Sequence, residues 1–168
     1  MGRALGRTSP LGRTSRLDRS PAPEPSPKQA RGTAYPGDFR GNPAISYEPN
    51  PGNGKVADPG EIVWTWVPFE ENHSQGKDRP VLVIGRDGPW LLALPLTSMD
   101  HDRDAVQEAR AGRRWTDIGS GNWDNRGRAS EVRVDRIVRV DPSRVRREGA
   151  VLDERRFDRV AAAVRSEG

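Results

Sequence analysis

The sequence predicts a mainly β domain, a small and strongly bent β-sheet or barrel with an α-helix packed on it at the C-terminal end, preceded by a disordered N-terminal tail. Three observations predict it. The first 57 residues hold nine of the chain's 15 prolines and show no apolar periodicity. Beyond them, short β-branched and aromatic runs recur between turn signals. The last stretch carries apolar residues at helical spacing behind a capping residue. Of the 168 residues, 33% are hydrophobic and 31% charged, enough for one modest domain but not for a second of comfortable size.

Residues 1–57 read as the tail. Leu-Gly-Arg-Thr-Ser occurs twice, at Leu5–Ser9 and Leu11–Ser15, and prolines alternate at Pro21, Pro23, Pro25 and Pro27. That alternation favours extended polyproline conformation and leaves too little apolar surface to offset the entropy of ordering. The tail holds nine Lys+Arg against four Asp+Glu, whereas residues 58–168 hold 19 against 20. The high isoelectric point therefore owes much to the tail, which could add weak, salt-sensitive attraction to nucleic acid.

Folding is expected to begin at the turn Asp58-Pro59-Gly60. In the run Ile62–Val67, Ile62, Trp64 and Trp66 alternate with Val63, Thr65 and Val67, as a strand with two distinct faces. Val81–Ile84 is a second strand and Trp90–Leu96 a third. Arg86-Asp87-Gly88-Pro89 between them reads as a tight hairpin turn. Val132–Val140 reads as one further strand. Residues 99–130 are rich in Gly, Asp and Arg and read as an irregular insertion, strand-like only at Arg114–Ile118. Asp153 is a good helix N-cap, Leu152 and Phe157 are spaced for a hydrophobic staple, and Phe157, Val160, Ala161 and Val164 form an apolar stripe.

Composition excludes several kinds of chemistry. With no cysteine there is neither a disulfide framework nor a thiolate metal site, and two histidines, His73 and His101, make a poor metal site. No apolar run approaches the ~20 residues of a membrane span, and no signal-peptide core opens the chain. A cytoplasmic protein without cofactor or membrane attachment is the expectation.

What remains suits phosphate. The segment His73–Ile84 joins a polar loop to an Arg-Pro step and a strand, with the backbone before Pro80 restricted. Arginine's planar fork can donate two hydrogen bonds to a phosphate. The third strand ends in Pro95-Leu96-Thr97-Ser98, which adds two hydroxyls. Arg133 and Asp135, at i and i+2, project from one outer face of their strand while Val132 and Val134 point inward. Cleaving RNA without a metal requires a base for the 2′-hydroxyl, an acid for the departing 5′-oxygen and cations for the phosphoryl charge. Taken singly, each feature also has an ordinary reading: an exposed ion pair, a strand-end turn pair, an exposed loop histidine. Trp115, Trp123 and Arg126 could stack or clamp bases, or the tryptophans could be local core.

Gly60-Glu61-Ile62-Val63-Trp64, the block Gln75-Gly76-Lys77-Asp78-Arg79-Pro80-Val81-Leu82-Val83 and the Pro-x-Thr-Ser strand end together resemble the PemK/Kid/MazF toxins of type II toxin–antitoxin modules. The likeness covers about residues 58–165. It implies an SH3-like β-barrel that works as a homodimer, a cognate antitoxin as partner, and metal-independent endoribonuclease activity on single-stranded RNA, leaving 2′,3′-cyclic phosphate and 5′-hydroxyl ends. By the same resemblance, Arg79 stabilises the phosphoryl oxygens or donates a proton, with Thr97 and Ser98 assisting. Arg133 and Asp135 match an acid/base pair, and His73 matches a loop histidine six residues before the arginine. Gln75 and Lys77 join His73 and Ser98 as expected substrate-binding residues. Contact with DNA is expected only through the antitoxin complex. The alternatives are a related toxin that poisons gyrase without cleaving RNA, or an inactive SH3-like interaction module. The insertion departs from the family pattern, so the resemblance leaves base preference open.

Overall fold

A computed structural model describes residues 34–50, 52, 54–98 and 113–167. The tail expectation for residues 1–33 and the insertion residues 99–112 lie outside them. Among the described residues, seven antiparallel strands, a short 3-10 turn at Pro142–Arg144 and one α-helix form the fold: β1 (Glu61–Pro68), β2 (Gly76–Asp87), β3 (Trp90–Ser98), β4 (Trp115–Gly119), β5 (Ser130–Arg133), β6 (Val138–Val140), β7 (Arg146–Val151) and α1 (Glu154–Glu167). The sheet order is β4-β5-β3-β2-β1-β7, with β6 also on β3. It follows a small barrel-like path without full closure. Ala34, Tyr35 and Pro68–Asp78 form one unit, and Pro36–Val67 with the chain from Arg79 onward forms another.

The hairpin between β2 and β3 forms where the sequence places it. Asp87 pairs with Trp90, leaving a two-residue loop of Gly88 and Pro89. Gly88 has a φ of 61°. Because Pro89 cannot follow it into positive φ, the turn that suits both residues is type II′ rather than I′.

The single strand expected over Val132–Val140 is corrected. The chain bends at Val134–Asp135 and divides into β5 and β6. Both pair with β3, β5 along Leu96–Ser98 and β6 along Leu91–Ala93. One long strand thus serves two short ones, and the bend between them turns the sheet. At the bend the Val134 amide donates to the Arg114 carbonyl at 3.0 Å, one residue beyond the Arg133–Trp115 pair of β5 and β4.

Alternation along the strands builds two cores on opposite faces. Ile62, Leu82, Ile84, Leu92, Leu94, Leu96 and Val132 pack with Phe157, Val160, Ala161 and Val164 of α1. Val63, Val67, Val81, Val83, Leu91, Ala93, Val138 and Val140 form the second core on the reverse face. The helix has the expected cap, the Asp153 carboxylate accepting from the Arg156 amide at 3.1 Å. Leu152 and Phe157, the staple pair, are both buried.

Packing begins upstream of Asp58. Phe39 bridges Ile137, the Ser46 amide donates to Ile84 O at 3.2 Å, and the Tyr47 hydroxyl donates to Leu152 O at 2.7 Å. Phe39, Ile45 and Tyr47 cover the helix-side core. A run with few apolar residues therefore docks as an extended strap, its polar backbone bonded to the domain. Gly60 is shaped by it: its φ is 106°, and a Cβ there would lie 2.8 Å from the Tyr47 ring.

Candidate active site

Side-chain alternation decides which candidate residues share a face. Leu82, Leu96, Ile118 and Val132 enter the helix-side core. The odd-numbered residues of the same strands therefore point the other way: Arg79 on β2, Thr97 on β3, Glu131 and Arg133 on β5, and Trp115 and Asp117 on β4. The β2–β3 register pairs Val81 with Pro95. Arg79 and Thr97 each lie two residues beyond that pair on their strands. The Arg79 guanidinium donates to Leu96 O at 3.3 Å, which holds the cation beside the end of β3.

Across the other edge of β3, Thr97 pairs with Glu131. Arg133 is one step along β5, opposite Trp115 of β4. Its Nε donates to Asp135 Oδ1 at 2.7 Å, across the bend. The face thus carries two arginines, a threonine hydroxyl and a carboxylate from three adjoining strands, with Asp135 joined to one arginine. Oriented donors of this kind suit a phosphate and the charge that develops on it.

The open outer face expected for the Arg133/Asp135 pair is corrected. The two side chains are 9% and 18% exposed. Strand β4, where the sequence is strand-like at Arg114–Ile118, pairs with β5 and sets Trp115 opposite Arg133. Burial at this depth requires the ion pair to be well made, since an isolated guanidinium here would be costly.

Ser98 does not join this face. Being next to Thr97, it points toward the opposite side and pairs with Ser130, whose hydroxyl accepts from the indole of buried Trp123 at 3.1 Å. Trp123 is core, while Arg126 is exposed. His73, Gln75 and Lys77 belong to the unit of Pro68–Asp78. There, Asn72 Oδ1 accepts from the Ser74 amide at 3.1 Å and its hydroxyl at 2.7 Å, and the Phe69 amide donates to Gln75 O at 2.8 Å. His73 is exposed and meets the Tyr35 ring edge-on, with centroids 4.9 Å apart.

Glu131 is the residue that sequence reasoning missed. The alternation Glu131-Val132-Arg133-Val134-Asp135 carried its signal, since the same period that pairs Arg133 with Asp135 extends one step back. Among the described residues, no group of three or more His, Asp or Glu is placed to hold a metal ion.

A small antiparallel β domain with an arginine-rich, hydroxyl-bearing face and a capped C-terminal helix is the class these features define. Residues 58–167 match the family model of PemK-like, MazF-like toxins of type II toxin-antitoxin systems, and the chain belongs to that family. It is therefore a toxin whose partner is an antitoxin. A comparison with curated proteins found no match. Among the described residues, no helix is long and apolar enough to cross a membrane.

Proposed function

We propose that this toxin is a metal-independent endoribonuclease that cuts single-stranded RNA, works as a homodimer in the cytoplasm and arrests growth when its antitoxin is absent. The observation that carries the reading is the shared face of Arg79, Thr97 and Arg133, with Asp135 at 2.7 Å from the Arg133 Nε. Family membership supports it.

In this reading Arg79 binds the phosphoryl oxygens, and Thr97 donates a hydrogen bond to the scissile phosphate. The 2′-hydroxyl attacks phosphorus as Asp135 takes its proton. The bond from phosphorus to the 5′-oxygen breaks, and Arg133 protonates the leaving oxygen. An arginine can act as an acid here because a departing alkoxide is more basic than a neutral guanidine. Asp135 then holds the extra proton and Arg133 lacks one. The short contact between them lets the proton return, which restores the pair. The 2′,3′-cyclic phosphate and 5′-hydroxyl ends follow from this balance. His73, Gln75, Lys77 and Ser98 are proposed to bind the RNA. Binding to DNA is assigned to the complex with antitoxin.

The test is to incubate the purified protein with single-stranded RNA in EDTA and map the ends. Cleavage with cyclic phosphate ends is expected, with a fall of at least ~100-fold in folded Arg79→Ala and Asp135→Ala variants. Intact RNA together with inhibited gyrase would overturn the reading, as would full activity in both variants.

A further inference from the structure

The loop that joins β4 to β5 is held by two buried side chains. Trp123 is 2% exposed. Its indole donates to Ser130 Oγ at 3.1 Å, its carbonyl accepts from the Trp64 indole at 3.2 Å, and the Arg156 guanidinium lies 5.8 Å from its ring centroid. Asp124 is 9% exposed and closes the turn that follows. Its Oδ1 accepts the Arg126 amide at 2.8 Å and its Oδ2 accepts Arg128 Nε at 2.9 Å, while its carbonyl accepts the Gly127 amide at 2.9 Å. The backbone at Arg126 is thus fixed. Its side chain is exposed and, among the described residues, makes no hydrogen bond or ion pair. The loop also has a defined place beside the candidate site. Ser130, which anchors Trp123, pairs with Ser98, and the next rung of that ladder joins Glu131 to Thr97. At most about 14 Å of extended chain separates Arg126 from Ser130.

We infer that this loop sets base preference, the Arg126 fork donating two hydrogen bonds to O6 and N7 of a guanine in the bound RNA. The inference rests on the ribonuclease reading for its ligand, single-stranded RNA. The physical reason is the rigidity of the turn. A grip on phosphate needs only a cation, which a side chain on a flexible loop provides. Reading a base edge needs donors at set positions, and a long side chain holds such a direction only from a fixed backbone. Burying a carboxylate and an indole to fix the backbone beneath one exposed arginine costs desolvation that a merely solvated turn does not require. Asp124 is engaged by Arg128, so the cation at the tip is left for a ligand. Unstacked bases of single-stranded RNA present their edges openly, and guanine is the base whose two adjacent acceptors match the guanidinium fork.

The test pairs the side chain with the atoms assigned to it. The probe is a short oligouridine carrying 2′-O-methyl groups throughout, which lacks the attacking hydroxyl and so reports binding by the full-length protein separately from cleavage. One central uridine is replaced by guanine, or by 7-deazaguanine, which lacks the N7 acceptor. Wild-type protein is expected to bind the guanine strand ~10-fold more tightly than either of the others. Arg126→Ala is expected to abolish that difference while binding plain oligouridine within about threefold of wild type. Arg126→Lys keeps the charge without the fork and is expected to lose the preference as well. A uniform loss of affinity for all three strands in Arg126→Ala, restored by Arg126→Lys, would assign the arginine to phosphate and overturn the inference. Wild-type protein indifferent to 7-deazaguanine would overturn it too. Guanine-dependent binding without cleavage of the unmodified strand supports the inference and refutes the ribonuclease reading. Cleavage and binding that ignore guanine refute the inference alone, and a protein that binds none of the strands refutes both.

Discussion

Glu131 stands directly across the ladder from Thr97, on the face that also carries Arg79 and Arg133. A carboxylate in that place opposes a bound phosphate, and the two arginines offset it. If Asp135 is the base, Glu131→Gln removes the repulsion, so KM for RNA falls several-fold and kcat stays within about threefold. Steady-state kinetics on a short single-stranded RNA reads this. A loss of kcat as large as that of Asp135→Ala would move the base role to Glu131. Tyr47 makes a separate prediction. Burial raises its pKa, and the charges of Glu154, Asp153 and Asp158 raise it further. The neutral phenol is therefore favoured by folding. Its contribution is complete below the ordinary tyrosine pKa of about 10 and is lost as pH rises through the higher folded value. Wild-type stability should decline above pH ~10 by more than that of Tyr47→Phe, as thermal melts across that range would show.

At the scale of elements, the terminal helix is anchored at its first turn. The Asp153 pKa is lowered, first by the side-chain bond from Arg156 and then by the backbone amide of Arg156, which its carboxylate caps. The stabilisation is present above the ordinary aspartate pKa and is lost as pH falls through the lower folded value. Asp153→Ala removes the cap, and a loss of about 0.5–2 kcal/mol is expected in urea denaturation at neutral pH, narrowing as pH falls below the ordinary aspartate range. Capping, staple and stripe are local signals, which is why the helix is legible from the sequence. The hairpin is legible for the same reason, since Gly88 and Pro89 between two apolar runs leave few alternatives. The division of Val132–Val140 into β5 and β6 is not, because nothing in a continuous β-forming run marks where one neighbour strand ends and another begins.

Across the whole molecule, the two cores and the strap are coupled. The strap covers the helix-side core with Phe39, Ile45 and Tyr47 and supplies the carboxylate for Arg136. A chain starting at Asp58 keeps every family-matched residue but removes the Asp38 carboxylate from buried Arg136. It should be less stable by about 3–5 kcal/mol from the broken pair alone, read as a lower melting temperature and reduced soluble yield. A chain that melts like the full-length protein would show that the strap contributes little.

By itself the sequence determined the mainly β class, the hairpin, the capped helix and the residue types suited to phosphate, because these follow from neighbours in the chain and from side-chain period. It also carried the motif blocks that place the chain among the toxins. Only the tertiary structure decided which of those residues meet. Alternation and register bring Arg79, Thr97, Glu131 and Arg133 to one face and turn Ser98 away. Strand β4 pairs beside Arg133, the Arg133/Asp135 pair is largely buried, and Asp38 reaches Arg136 from a segment whose composition reads as tail. Composition measures how much apolar surface a segment can bury by itself. It does not register an ion pair or backbone hydrogen bonds formed with a surface that exists only once the sheet has folded.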